Sequence, residues 1–192
     1  MKDDEYTHLL DELIAAEVSL QEMGIATSVA ECLQHWKYFL NHLEKFWKKF
    51  SESSLKFNVD KHCFDTINAL RKKDPLLSYL RASRNSDEHL PKAISETEQG
   101  STKIFSSHGP ATIHSGVIEG AETITNLSVD GELKFEIQPD KLKLISVSVW
   151  AGRFDPPNEH LGNSLGKLDP ISVGTLGLKF YKDFFSTVKI CD

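Results

Sequence analysis

Arg84, Asn85, Ser86, Asp87, Glu88 and His89 put a guanidinium, an amide and an imidazole into one short stretch. A guanidinium presents a planar fork of donors that fits a phosphate. Imidazole titrates near neutral pH and can move a proton. These residue types suit phosphate chemistry, with Arg84 to hold the anion and His89 to move a proton.

Such residues need a helix to hold them, and the pattern supplies several. Residues 3 to 23 carry Leu9, Leu10, Leu13, Ile14, Val18 and Leu20 near the 3.6 period, with Gly24 as the stop. Thr27 or Ser28 caps a second helix, Glu31 standing at the capping-box position for Ser28. This helix reaches about Phe50 with a wide aromatic stripe that includes Trp36, Phe39, Phe46, Trp47 and Phe50. Asp60 caps a third helix over about 61 to 73. Asp74-Pro75, a cap followed by proline at the first helical position, starts a fourth that runs into Arg84–His89. Pro91 limits its extension. Short connections between these helices predict a bundle.

The period changes beyond this point. Residues 93 to 110 are rich in Ser, Glu, Thr and Gly and read as a linker. Val117 to Val129 mixes β-branched and polar residues, Asp130-Gly131 is a hairpin signal, and Leu142, Leu144, Val147 and Val149 alternate. This predicts an antiparallel sheet of three or four strands. Asp169-Pro170 repeats the helix-start signal, and 171 to 189 is a helix by periodicity, weakened by Gly174 and Gly177. The expected fold is α+β: a four-helix bundle over 1–92, a linker over 93–110, and a small antiparallel sheet with a C-terminal helix over 111–192.

A helical bundle with Arg84, Asn85 and, after four intervening positions from the arginine, His89 resembles the HEPN superfamily. Asn directly after the Arg is among the choices that family prefers. The resemblance covers roughly residues 3 to 90, and the layout of the remainder is similar to that of uncharacterised bacterial HEPN-like proteins. It implies a homodimer whose two motifs face each other. It also implies either a metal-independent endoribonuclease, often paired with an antitoxin or other protein partner, or an RNA-binding or interaction module without catalysis. In the first case RNA would supply its own nucleophile: the 2′-hydroxyl, losing its proton, would attack the adjacent phosphorus, the 5′-oxygen would leave, and a 2′,3′-cyclic phosphate would remain. His89 would be the base or the leaving-group acid, a role worth on the order of 10² to 10⁴ in rate. Arg84 would stabilise charge on the phosphoryl oxygens, and Asn85 would bind phosphate or orient His89, with no metal and no cofactor. One helical constraint bears on this. Positions 84 and 89 differ by about 140° around an ideal helix. Either the helix ends between them, or two chains share the site.

Blander readings stand beside these. Arg84 and Glu88, or Arg81 and Asn85, are spaced as surface pairs. His89 before Leu90-Pro91 reads equally as a helix terminator. His35 and His42 are too far apart for the usual i,i+4 zinc pair, and His160 reads as a surface-loop histidine. The rival function is a non-catalytic interaction module using the aromatic second helix as its face. A third is a small-ligand sensor closed by the Pro156–Gly162 loop.

The totals set the bounds. The chain has 192 residues, 40% apolar and 26% charged, with net charge −6, so attraction to RNA must be local. Cys32, Cys63 and Cys191 form no CxxC pair, so neither a zinc knuckle nor a disulfide framework is indicated. The opening MKDDEYTHLLDELI lacks a signal-peptide apolar core, and no run is long enough to span a membrane. A cytoplasmic protein with reduced thiols is expected.

Overall fold

Four of the helices begin where a side chain caps them. In a computed structural model that describes residues 2–54, 60–89, 93–119, 123–166 and 168–187, α1 spans Lys2–Ile25, α2 Val29–Ser53, α3 Lys61–Lys73, α4 Pro75–His89 and α5 Pro170–Thr187. The Ser28 hydroxyl accepts from the Glu31 amide at 3.1 Å, and the Glu31 carboxylate reaches back to the Thr27 amide at 2.8 Å. Asp60 accepts from the Cys63 amide, Asp74 from the Leu77 amide and Asp169 from the Ser172 amide, each at 2.9 Å. All four start signals read from the sequence are realised. The Leu90-Pro91 stop, Lys56, Val188 and Cys191 lie outside the described residues, as do the side chains of Glu88 and His89.

The fold is α+β, with four N-terminal helices, small antiparallel sheets and a C-terminal helix. The chain forms two compact units, one of residues 1–96 with 144–192 and one of residues 97–143. This corrects the boundaries expected from composition. The strands β1 (Ser95–Glu98) and β2 (Ser101–Ser106) occupy most of the presumed 93–110 linker, and α5 belongs to the helical unit. Polar composition misled here because exposed strands satisfy their backbone by pairing, whatever their side chains.

In the helical unit, α2 supplies much of the core. Trp36, Phe39, Leu40, Leu43, Phe46, Trp47 and Phe50 are all buried. Leu9, Leu13, Ala16, Leu20 and Met23 of α1 join them, while Ile14 and Val18 stay exposed. The glycines of α5 cost helix propensity but permit close packing. A Cβ on Gly174 would stand 2.5 Å from Leu20 Cδ2, and one on Gly177 would collide with Leu80 Cδ1. Phe184 and Phe185 then meet Phe50 edge-on. Arg71, only 3% exposed, ties three helices together. Its Nε donates to Tyr181 Oη and its Nη2 to Glu44 Oε2, both at 2.7 Å, and its guanidinium lies 4.2 Å from the centroid of the Trp47 ring.

The same unit contains the hairpin β7 (Val147–Val149) with β8 (Gly152–Phe154), and the short pair β9 (Glu159–His160) with β10 (Asn163–Ser164). The other unit is built from β2 with β5 (Leu133–Gln138) and β3 (Thr112–Glu119) with β4 (Thr123–Asp130). Ser101 faces Gln138 and Thr112 faces Asp130, so the two pairs are nested along one two-stranded ribbon. The strands β1 and β6 (Lys141–Leu144) pair outside them. Pairing is antiparallel as expected, but two strands wide rather than three or four. Asp130-Gly131 closes no hairpin, because β4 pairs back on β3 and β5 on β2. It is a kink between two strands of the same arm.

Candidate functional site

Helix α4 is the hub of the helical unit, packing against α2, α3, α5, β7, β8 and β9. Leu76, Leu77, Tyr79 and Leu80 hold its inner face. Ala82, Ser83 and Ser86 are buried with them, their small side chains allowing close approach. Its N-terminus is fixed by Asp74, 6% exposed, which also accepts from His160 Nδ1 at 3.0 Å and from the Leu161 amide at 2.7 Å. His160, expected as a free surface-loop residue, is therefore bound to the helix start, with its ring edge-on to Phe180.

Helix α4 runs unbroken through His89. Of the two geometries that could bring positions 84 and 89 to one phosphate, the helix break is not the one adopted. In an ideal helix the two positions stay about 140° apart. Arg84 is half-buried, and its Nη1 lies 3.4 Å from Asn85 Oδ1, a long hydrogen bond. Asp87 is engaged by Lys37 of α2 at 2.6 Å.

Arg81 and Asn85 are brought together instead. Four residues apart, they share one face of α4 and line an open depression of ≈ 200 Å³ with Ala82, Val149, Trp150, Ala151 and Phe154. Among the described residues no hydrogen bond or ion pair engages the Arg81 guanidinium. Position 89 continues the same stripe, eight residues after Arg81. By spacing alone Arg81 is one half of a surface pair with Asn85. Its i,i+4 spacing to Asn85 was the available signal, but nothing in sequence placed the β7–β8 hairpin opposite.

That hairpin is held in place by Tyr79, whose hydroxyl donates to the Ile145 carbonyl at 2.9 Å. Burial pushes the Tyr79 phenol up to about 12, so it stays a neutral donor. Val147 pairs with Phe154 and Val149 with Gly152, leaving Trp150 and Ala151 as the turn. Gly152 has open space about its Cα but takes φ 128°, a conformation a side chain would strain. Beside the turn, Arg153 is engaged with Asp155 at 3.1 Å and with Ser146 at 2.9 Å.

Other candidate groups serve structure. Glu12 bridges His42 and Lys49 at 2.7 Å each. Burial works to raise its pKa, but the hydrogen bonds from Lys49 and His42 prevail and hold it low. Cys32 and Cys63 are free and half-buried. Among the described residues no group of three His, Cys, Asp or Glu side chains is placed to hold a metal ion, and no helix is long and apolar enough to cross a membrane. Comparison of the chain with protein-family models, with curated proteins and with solved structures gives no match.

Proposed function

We propose that this protein is an HEPN-like, RNA-directed protein of the cytoplasm that works as a homodimer and cleaves single-stranded RNA without a metal. The observation that carries the reading is the outer stripe of α4. Arg81, Asn85 and position 89 follow one another at i, i+4 and i+8 along an unbroken helix, and the first two line an open depression. A phosphate seated there would meet a guanidinium that no hydrogen bond or ion pair engages among the described residues, and an amide that Arg84 already approaches. His89 would supply the base or acid at the helix end. Because Arg84 and position 89 diverge around the helix, a complete site draws one of them from the second copy.

The rival reading, an interaction module using the aromatics of α2, gains no support from the geometry. Those side chains fill the core of their own unit, and Tyr38, 48% exposed, is the aromatic of that helix left outside.

The test is incubation of the full chain with unstructured single-stranded RNA in EDTA. Products ending in 2′,3′-cyclic phosphate are expected. His89→Ala should reduce their formation by about 10² or more with unchanged thermal unfolding. A wild-type protein that leaves RNA intact, or a His89→Ala variant that cleaves as well as wild type, sinks the catalytic reading.

A further inference from the structure

Trp150 is 98% exposed, while the chain's other tryptophans, Trp36 and Trp47, are 0% and 6% exposed. An indole left bare at the tip of a two-residue turn contributes almost no packing to the fold. Yet its placement is defined. The β7–β8 register fixes the turn, Gly152 absorbs the reversal, and Tyr79 anchors the approach to α4. Trp150 thereby stands on the wall of the depression whose lining includes Arg81 and Asn85.

We propose that Trp150 is a stacking platform for one unpaired base of single-stranded RNA, with Arg81 holding the neighbouring phosphate and Asn85 the base edge or sugar. This rests on the RNA-directed reading of α4 and adds to it a subsite outside the Arg84–His89 motif. Single-stranded RNA is recognised largely by stacking splayed bases on aromatic rings beside cationic side chains. The three parts needed for one nucleotide — a flat apolar ring, a cation and a neutral donor–acceptor — are present here together. A protein partner could also use an exposed Trp beside an Arg. However, a depression of ≈ 200 Å³ lined by an arginine and an amide fits one planar polar group better than a broad apolar anchor. The Arg81 charge also gives a local attraction for phosphate in a chain whose net charge is −6.

The burial of Trp36 and Trp47 makes the experiment direct, because quencher-accessible emission reports Trp150. The protein is titrated with a short 2′-O-methyl oligoadenylate, which binds without offering the nucleophile. Trp150 emission should be quenched and shielded from iodide. Trp150→Ala should weaken binding by about ten-fold and Trp150→Phe by about three-fold or less, in keeping with the usual strength of base–aromatic stacking. Arg81→Ala should weaken binding and lower the slope of log K against log salt by about one. If the oligonucleotide binds with Trp150 emission unchanged and Trp150→Ala binds equally well, the subsite is wrong while the RNA reading survives. If wild type neither binds the oligonucleotide nor cleaves RNA, both fail. If Trp150→Ala changes only the oligomeric state seen by light scattering, the indole is a protein contact and the subsite is overturned.

Discussion

Tyr79 shows how one side chain can set the site without touching a ligand. Its ring is fully buried on α4, and its hydroxyl fixes Ile145, two residues before β7. The pH consequence follows from the direction of its shift. The folded phenol titrates near 12, against an ordinary value of 10. A group whose folded pKa is raised contributes stability that is fully present below pH 10 and lost as pH rises through about 12. Wild type should therefore lose about 2 kcal/mol relative to Tyr79→Phe across that interval. At neutral pH the variant should be less stable by about 1 kcal/mol, for want of the hydrogen bond to Ile145. Urea unfolding of both proteins at pH 8 and at pH 11.5 checks both signs. Parallel pH dependence of the two would show that the shift is not carried by this residue.

Among the elements, α5 departs furthest from intrinsic preference. Gly174 and Gly177 disfavour a helix on propensity, yet α5 forms because its apolar face is buried against α1, α2 and α4. A glycine at position 177 lets α5 approach Leu80 more closely than any side chain would. Gly177→Val should destabilise the protein by about 2 kcal/mol through overpacking, although valine is the better helix former. A thermal shift to higher temperature would mean the approach is relaxed in solution. The strand elements teach the converse. Asp130-Gly131 has the composition of a two-residue hairpin, but Gly131 turns the chain only enough to kink one arm, with φ 101°. Which strand a strand pairs with is a long-range outcome, and no local signal encodes it.

For the molecule as a whole, the two units differ in kind. The helical unit has a continuous aromatic and aliphatic core. The ribbon unit leaves Phe105, Ile113, Val117, Phe135 and Ile137 between 39% and 47% exposed. Two-stranded ribbons are marginal when they stand alone. Cutting out residues 97–143 and joining Glu96 to Leu144 by a short Gly-Asn linker should leave a protein that unfolds cooperatively. Near-ultraviolet circular dichroism and denaturant titration read the result. Loss of cooperative unfolding would show that the ribbon is needed for the helical core. If the excised protein also keeps the Trp150 response to oligoadenylate, the binding groups reside wholly in the helical unit.

The sequence alone determined the helices and their starts. Ser28, Asp60, Asp74 and Asp169 act through bonds to amides three residues away, so their effect is local and readable. It also determined that Arg81, Arg84, Asn85 and position 89 share one helix and, through the 3.6-residue period, how they divide around it. Only the tertiary structure decided what stands opposite them. Trp150 is 65 positions beyond Asn85 in the chain, the inclusion of α5 in the helical core is as distant, and Arg71 meets Tyr181 across 110 positions. Such meetings arise from the burial of many apolar groups at once, a property of the whole chain that no short window of residues contains.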